Sequence, residues 1–588
     1  MSSKNYNLAS AVRFCFRYSP VMALIKLLFE VISGILMPLM VLLVAFFINN
    51  AIYYVHGNGM LAPLVFAIIL MAAYYAYSQL DQVIIRLVDK SLENALRENL
   101  RPQLMEKQAR TTFAFLENPE TLDLISRVCD NAEREIMTIY NSGIRSVRLG
   151  IQIIGISLLL ITHIWWIVPV FVISAIPMLI ISHRGGQKIY DIFRVTTKLT
   201  RQHYYLSSIL VGREAAAERT LFGYADSING KFSETHLKRS NMVTKALAIE
   251  ETTIHSCGLI LNLLVLIAVF ALLRPVGEGL LSYGLYISLV GALIGLARMI
   301  TGTLSSLVRD MVEYKEYMRD FTRFFALPEI VIDESDGGHI SFESLEIKNL
   351  RFRYTPDMPY VLDGVNLRMV SGKSYSLIGQ NGAGKSTLTK ILLGLYRDFE
   401  GEILINGADI TSYKRSDLRR LFSIVYQDFA KYYIPLKDNI KLGSEQGNFT
   451  AALHLAELDD VIDKLPDKES TILGKVFENG VDISGGEWQK VAIARTLFAN
   501  APFMILDEPT ASLSPMMESK LYKRFAEITQ DKTSLLISHR LGSTKLSDIL
   551  FVLDEGKIAE TGTHEELMAA NSIYAEMFKS QRSWYDER

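Results

Sequence analysis

Residues 379–387 read Gly379-Gln380-Asn381-Gly382-Ala383-Gly384-Lys385-Ser386-Thr387 and match G-x-x-x-x-G-K-[ST]. The apolar run over 375–378 has the length of a buried strand, and 387–395 has a helical pattern. Glycines in a loop between strand and helix let successive backbone N–H groups wrap a phosphate chain, and the helix start adds a favourable dipole. The candidate phosphate-binding residues are therefore Gly379, Asn381, Gly382, Ala383, Gly384, Lys385, Ser386 and Thr387. Lys385 is expected to reach the β- and γ-phosphates of ATP, and the Ser386 hydroxyl to ligate Mg2+. A second apolar run, Phe503-Met504-Ile505-Leu506, ends in Asp507-Glu508. An acid at the end of a strand beside a P-loop can hold Mg2+ through water, which is the role expected of Asp507. Glu508 is then placed to polarise an attacking water as general base.

Between these lies Ile483-Ser484-Gly485-Gly486-Glu487, where Ser-Gly-Gly ahead of a helix is a further anion-binding start. Here the sequence resembles the ATP-binding cassette family, whose signature is usually LSGGQ. Ile483 stands for its Leu and Glu487 for its Gln. The resemblance implies that Ser484, Gly485, Gly486 and Glu487 close on the γ-phosphate of ATP held by another subunit. The chain would then work with a second half-transporter subunit, a homodimer ahead of a heterodimer. Further matches follow in the family's order. Gln427, after an expected strand over 423–426, resembles the glutamine that senses Mg2+ and faces the membrane domain. Tyr354, in Phe352-Arg353-Tyr354, resembles the aromatic that stacks on adenine. His539, after an expected strand over 534–537, resembles the switch histidine at the γ-phosphate. The family's usual aspartate after Glu508-Pro509-Thr510-Ala511-Ser512-Leu513 is replaced by Ser514, which bears on how the two sites are coupled.

The bulk of the chain sets what must carry these residues. It has 588 residues, more than one ordinary domain, with a formal net charge of -2, in which nothing suggests the strong basic stripe of a nucleic-acid binder. Apolar residues make up 49%, and mean hydropathy is +0.20, as expected of a membrane half averaged with a soluble half. The three cysteines, Cys15, Cys129 and Cys257, are far apart and read as free thiols. No cleavable signal peptide is evident, because the first apolar run is too long for one.

Apolar runs long enough to span a bilayer occur near 21–48, 61–85, 146–163, 165–183, 253–273 and 280–305. Loops 49–60 and 162–165 hold no Lys or Arg and 274–279 holds only Arg274, whereas 86–148 and 183–248 are dense in both. Both termini and the two long loops are therefore expected on the cytoplasmic side. These loops read as helices continued out of the membrane, turning around at 116–120 and at 221–224. Lys26, Glu30, Asp81, Arg86 and Arg298 lie in or near the apolar runs; such charges are either functional or paired, and Lys26 with Glu30 can pair four residues apart. Gly291 and Gly295 are spaced for close helix packing.

The fold expected is an all-α six-helix transmembrane domain of exporter type over 1–325, a linker over 326–341, and an α/β P-loop nucleotide-binding domain with a helical subdomain over 342–588. The resemblance covers nearly the whole chain and looks like a bacterial half-transporter sitting multi-pass in the inner (plasma) membrane. Only about twenty residues precede the first helix, so no leader peptidase is expected. The leading reading is an ATPase exporting an amphipathic peptide or drug-like molecule. A flippase for a lipid or lipid-linked glycan is the related alternative, and a non-pumping channel or sensor the alternative of another class.

Overall fold

The computed structural model describes residues 5–213, 215–330, 341–442, 447–508, 532–538 and 543–586. The chain divides into two compact units, Met1–Thr111 with Phe115–Glu329, and Thr112–Ala114 with Ile330–Arg588.

The first unit is helical throughout. It runs α1 (Leu8–Tyr18), α2 (Pro20–Val55), α3 (Leu61–Ala109), α4 (Pro119–Cys129), α5 (Ala132–Ile164), α6 (Ile167–Val211), α7 (Ala216–Phe222), α8 (Ala225–Ala271), α9 (Tyr283–Arg298) and α10 (Ser305–Ala326). Among the described residues, six helical stretches are long and apolar enough to cross a membrane, one for each expected run. Boundaries follow local chemistry. Pro20 and Pro119 open α2 and α4 at the position where a missing N–H costs nothing. The Asn118 side chain caps α4 by accepting from the Glu120 N–H at 2.8 Å. Gly223, at φ 63, ends α7 in the left-handed conformation that glycine adopts without strain. A six-residue π-helical stretch, Met299–Leu304, joins α9 to α10.

Packing departs from the sequence reading in three places. Lys26 does not pair with Glu30. Its ammonium meets Asp89 and Asn141, while Glu30 takes Arg148 at 3.2 Å. The two residues look across to other helices because both are buried, and a buried charge needs a partner within its own layer. The tight approach expected at Gly291 is absent, with no atom within 4 Å of where its Cβ would stand, and Gly295 meets only Met37. Close packing occurs instead at Gly284, against the Ala45 carbonyl and Asn49, and at Gly155, against Pro38. The first break in the extended helices is wider than 116–120: α3 ends at Ala109, Phe113–Leu116 forms one turn, and Asn118 restarts the helix.

The second unit is built on two sheets. An antiparallel sheet has the order β2-β1-β4-β5, from β1 (Ser344–Phe352), β2 (Leu362–Val370), β4 (Glu400–Ile405) and β5 (Ala408–Asp409). A six-stranded sheet has the order β10-β9-β3-β8-β7-β6, from β3 (Ser374–Ile378), β6 (Phe422–Val425), β7 (Phe503–Asp507), β8 (Thr533–Ile537), β9 (Ile549–Asp554) and β10 (Lys557–Gly562). Its strands β9, β3, β8, β7 and β6 run parallel. Every residue of β7 and β8 is buried, as continuous apolar runs covered on both faces must be. Phe113 folds with this unit, its ring edge-on to Tyr396 at 5.9 Å.

Candidate nucleotide site

Register brings the candidate residues to one sheet edge. Leu377 of β3 stands level with Ile537 of β8, which stands level with Asp507 of β7; Leu506 in turn pairs with Val425 of β6. The loop after β3, the acid closing β7 and the turn after β6 therefore all leave from the carboxyl edge, where open α/β sheets hold ligands.

The loop at 379–384 feeds α11 (Lys385–Leu392). Gly379 admits no side chain, because a Cβ there would run into the Leu553 carbonyl. Gly384 sits at φ +107 with Leu362 Cδ2 2.7 Å from where a Cβ would stand. No side chain caps α11, so its first N–H groups keep their capacity for an anion. The Lys385 ammonium is folded into the loop, donating to the Gly379 carbonyl at 2.7 Å and the Gln380 carbonyl at 3.0 Å. Burial lowers its pKa, opposed by the carboxylates of Glu508 and Asp507. Ser386 is exposed at the helix start.

Asp507 is 6% exposed, and burial, with Glu508 and Asp428 adding repulsion and Lys385 opposing, pushes its carboxyl up to about 6. A buried acid facing two further acids and one lysine is a site short of positive charge, so the donor set fits a hard divalent cation. Glu508 takes a left-handed backbone (φ 46), turning the chain off β7, and its N–H donates to the Ile537 carbonyl at 3.0 Å. Gln427 is exposed in the turn after β6. Asp428 went unnoticed in the sequence; an acid directly after Gln427 was its only signal.

Tyr354 donates to or accepts from the Thr387 hydroxyl at 2.8 Å, and its ring stands edge-on to Tyr396 at 5.6 Å and to Phe352 at 5.2 Å. It keeps 41% of its surface exposed, enough for a planar base to stack on. Thr387 is thereby held by the tyrosine. His539 and Ser514 lie outside the described residues.

Ser484 caps α12 (Gly485–Ala499) in a reciprocal capping box. The Glu487 N–H donates to Ser484 Oγ at 3.3 Å, and Glu487 Oε2 accepts from the Ser484 N–H at 2.7 Å and from its hydroxyl at 2.9 Å. The Glu487 side chain is thus engaged with its own helix start. Trp488, Val491 and Phe498 anchor α12 in one core, whereas Leu388, Ile391 and Leu392 of α11 belong to another.

Residues 362–511 match the family model described as ABC transporter. The chain is 27% identical over 574 residues to the subtilin transport ATP-binding protein SpaT of Bacillus subtilis, covering 94% of this chain and 90% of that one. It is 27% identical over 493 residues to the ATP-dependent lipid A-core flippase of Pectobacterium atrosepticum, covering 82% of this chain and 83% of that one. A solved bacterial Atm1-family ABC exporter with ATP bound has the same fold, with a TM-score of 0.78 at 22% identity over 96% of this chain and 98% of that one.

Proposed function

From the premise that this chain is an ATP-binding cassette transporter of exporter architecture, we propose that it hydrolyses ATP to export an amphipathic peptide or drug-like molecule across the inner membrane. The observation that carries this reading is the convergence of the loop at 379–384, Asp507 and the turn at Gln427 on one sheet edge, in a chain with six membrane-length helices. Gly379, Asn381, Gly382, Ala383, Gly384 and Lys385 bind the phosphates, Tyr354 stacks on adenine, and Thr387 steadies that tyrosine. Ser386, Gln427 and Asp507 would hold Mg2+, which neutralises charge on the β- and γ-phosphate oxygens. Glu508 takes the proton from the attacking water, and His539 faces the γ-phosphate. The signature residues Ser484, Gly485, Gly486 and Glu487 serve the nucleotide of a second copy of the chain, so the working unit is a homodimer. Both termini and the cassette face the cytoplasm, a reading the Lys and Arg distribution supports.

Similarity along 94% of the chain to a protein named for subtilin transport supports the peptide reading. Similarity over a smaller share to lipid A-core flippases supports a lipid substrate as the second reading. The deciding experiment measures ATP hydrolysis by the purified protein in lipid across a panel of peptides, drugs and lipids. Stimulation by amphipathic peptides is expected; stimulation by lipids alone would replace the first reading with the second.

A further inference from the structure

Between α6 and α8 lies a cavity of about 220 Å³ whose chemistry the proposed function does not use. At its base is Glu250, only 5% exposed, and neither carboxylate oxygen accepts a hydrogen bond among the described residues. The nearest cation, Arg309, stands 3.8 Å from Glu250 Oε1, and it is shared with Glu251 at 3.1 Å and Asp310 at 3.6 Å. The carboxylate rests against Gly185, where a Cβ would come within 2.7 Å of it, so only glycine leaves it this place. At the rim, Arg184 and Lys188 are exposed one turn apart on α6, and neither makes an ion pair or hydrogen bond among the described residues. Ile181 and Ile249 line the wall and make it apolar.

A buried carboxylate without a donor calls for an ammonium group, and two free cations beside it call for an anion. The ligand that satisfies both is a zwitterion with an apolar tail. The apolar run of α6 ends near 183 and that of α8 begins near 253, so the cavity sits where the chain leaves the hydrocarbon. We propose that this cavity binds the headgroup of an aminophospholipid of the inner leaflet. Its ammonium donates to Glu250, its phosphate lies between Arg184 and Lys188, and its first methylenes run along Ile181 and Ile249. The assignment of leaflet rests on the membrane orientation given above; the headgroup chemistry does not.

The test titrates the purified full-length chain in detergent, without nucleotide, with dioleoyl phosphatidylethanolamine, phosphatidylcholine and phosphatidylglycerol, and counts bound lipid by native mass spectrometry. Choline has no N–H to donate, and the glycerol headgroup has no cation. The ethanolamine lipid should therefore bind about tenfold more tightly than either, the usual scale of a charge-assisted hydrogen bond. Glu250→Gln should erase that preference while leaving glycerol-lipid binding in place. Arg184→Ala with Lys188→Ala should weaken the ethanolamine and glycerol lipids alike. Equal binding of ethanolamine and choline lipids by the unaltered chain would overturn the proposal, as would a preference that survives Glu250→Gln. Displacement of bound ethanolamine lipid by an amphipathic peptide at equal concentration would reassign the cavity to peptide. If Glu250→Gln does not fold, the lipid series on the unaltered chain and the rim double variant decide. No transport or hydrolysis is measured, so the outcome is independent of the exporter reading.

Discussion

Two helix starts in the second unit carry glycine at the cap or in the first turn, and they are finished in opposite ways. At α11 the cap position is Gly384, no side chain closes the helix, and Lys385 folds back onto the loop carbonyls. At α12 the cap is Ser484, and the chain's own carboxylate, Glu487, has taken the position. Both ends carry the same partial positive charge from unpaired N–H groups. One is left open for an anion supplied from outside, with a lysine beside it. The other has the Glu487 carboxylate bonded to the Ser484 N–H and hydroxyl, so a phosphate arriving there meets a negative charge. The same motif class can thus present a strong anion site and a weak one, according to what the third helical residue is.

The largest effects should come from the open site. Glu508→Gln removes the proposed base beside it and should lower ATP turnover at least ~10²-fold while ATP binding persists; a turnover assay paired with nucleotide binding checks this, and near-normal turnover would remove Glu508 from the role. Lys385→Ala should cost ATP binding itself, since it deletes the cation at the phosphates. A binding titration with unchanged affinity would contradict the contrast drawn between the two helix starts.

A smaller effect is expected at α7. Phe222 is 69% exposed and Leu221 77%, so neither packs into its own helices. We expect Phe222 to dock on a cassette in the proposed homodimer, where burying the ring contributes roughly 1.5–3 kcal/mol. Phe222→Ala should leave basal hydrolysis and melting temperature unchanged and reduce substrate-stimulated hydrolysis and transport together. Full stimulation in a stable variant would rule the docking role out.

The smallest effects should come from the self-capped start. Glu487→Gln keeps an acceptor for the Ser484 N–H but removes the charge, and ATP-driven dimerisation should tighten by about 0.3–1 kcal/mol, the scale of a charge at a helix end. Unchanged dimerisation would mean that Glu487 already leaves the helix start when nucleotide arrives. Ser484→Ala should lower thermal stability by ~1 kcal/mol, the usual cost of losing a cap, measured by denaturant or heat unfolding.

Much of this was legible in the linear sequence. The six apolar runs became six membrane-length helices, because a stretch of that length and hydropathy has one regular way to satisfy its backbone in lipid. The loop at 379–384 announced itself because glycine is demanded by local sterics, at Gly379 and Gly384 above all. The capping box was also written out, as Ser484 followed three residues later by Glu487. The same residues also fit an anion-binding helix start, because spacing does not say whether an internal or an external acceptor wins. The small-residue pair at Gly291 and Gly295 misled for a related reason: spacing marks where a helix can be approached, and the neighbour came to Gly284 instead.

Sequence alone determined the periodic elements and the residues that chemistry requires next to one another in the chain. The partners of buried charges were decided only by tertiary structure. Lys26 had Glu30 within helical reach yet met Asp89, 63 residues away, and Glu30 met Arg148, 118 residues away. Asp507 gained its raised carboxyl first from burial in the packed sheet and then from Glu508 beside it and Asp428 beyond, and Glu250 its cavity from residues of α6. Desolvation and Coulomb attraction act through space, and which charges share a layer is set by how helices and strands pack, a distance that the order of residues does not contain.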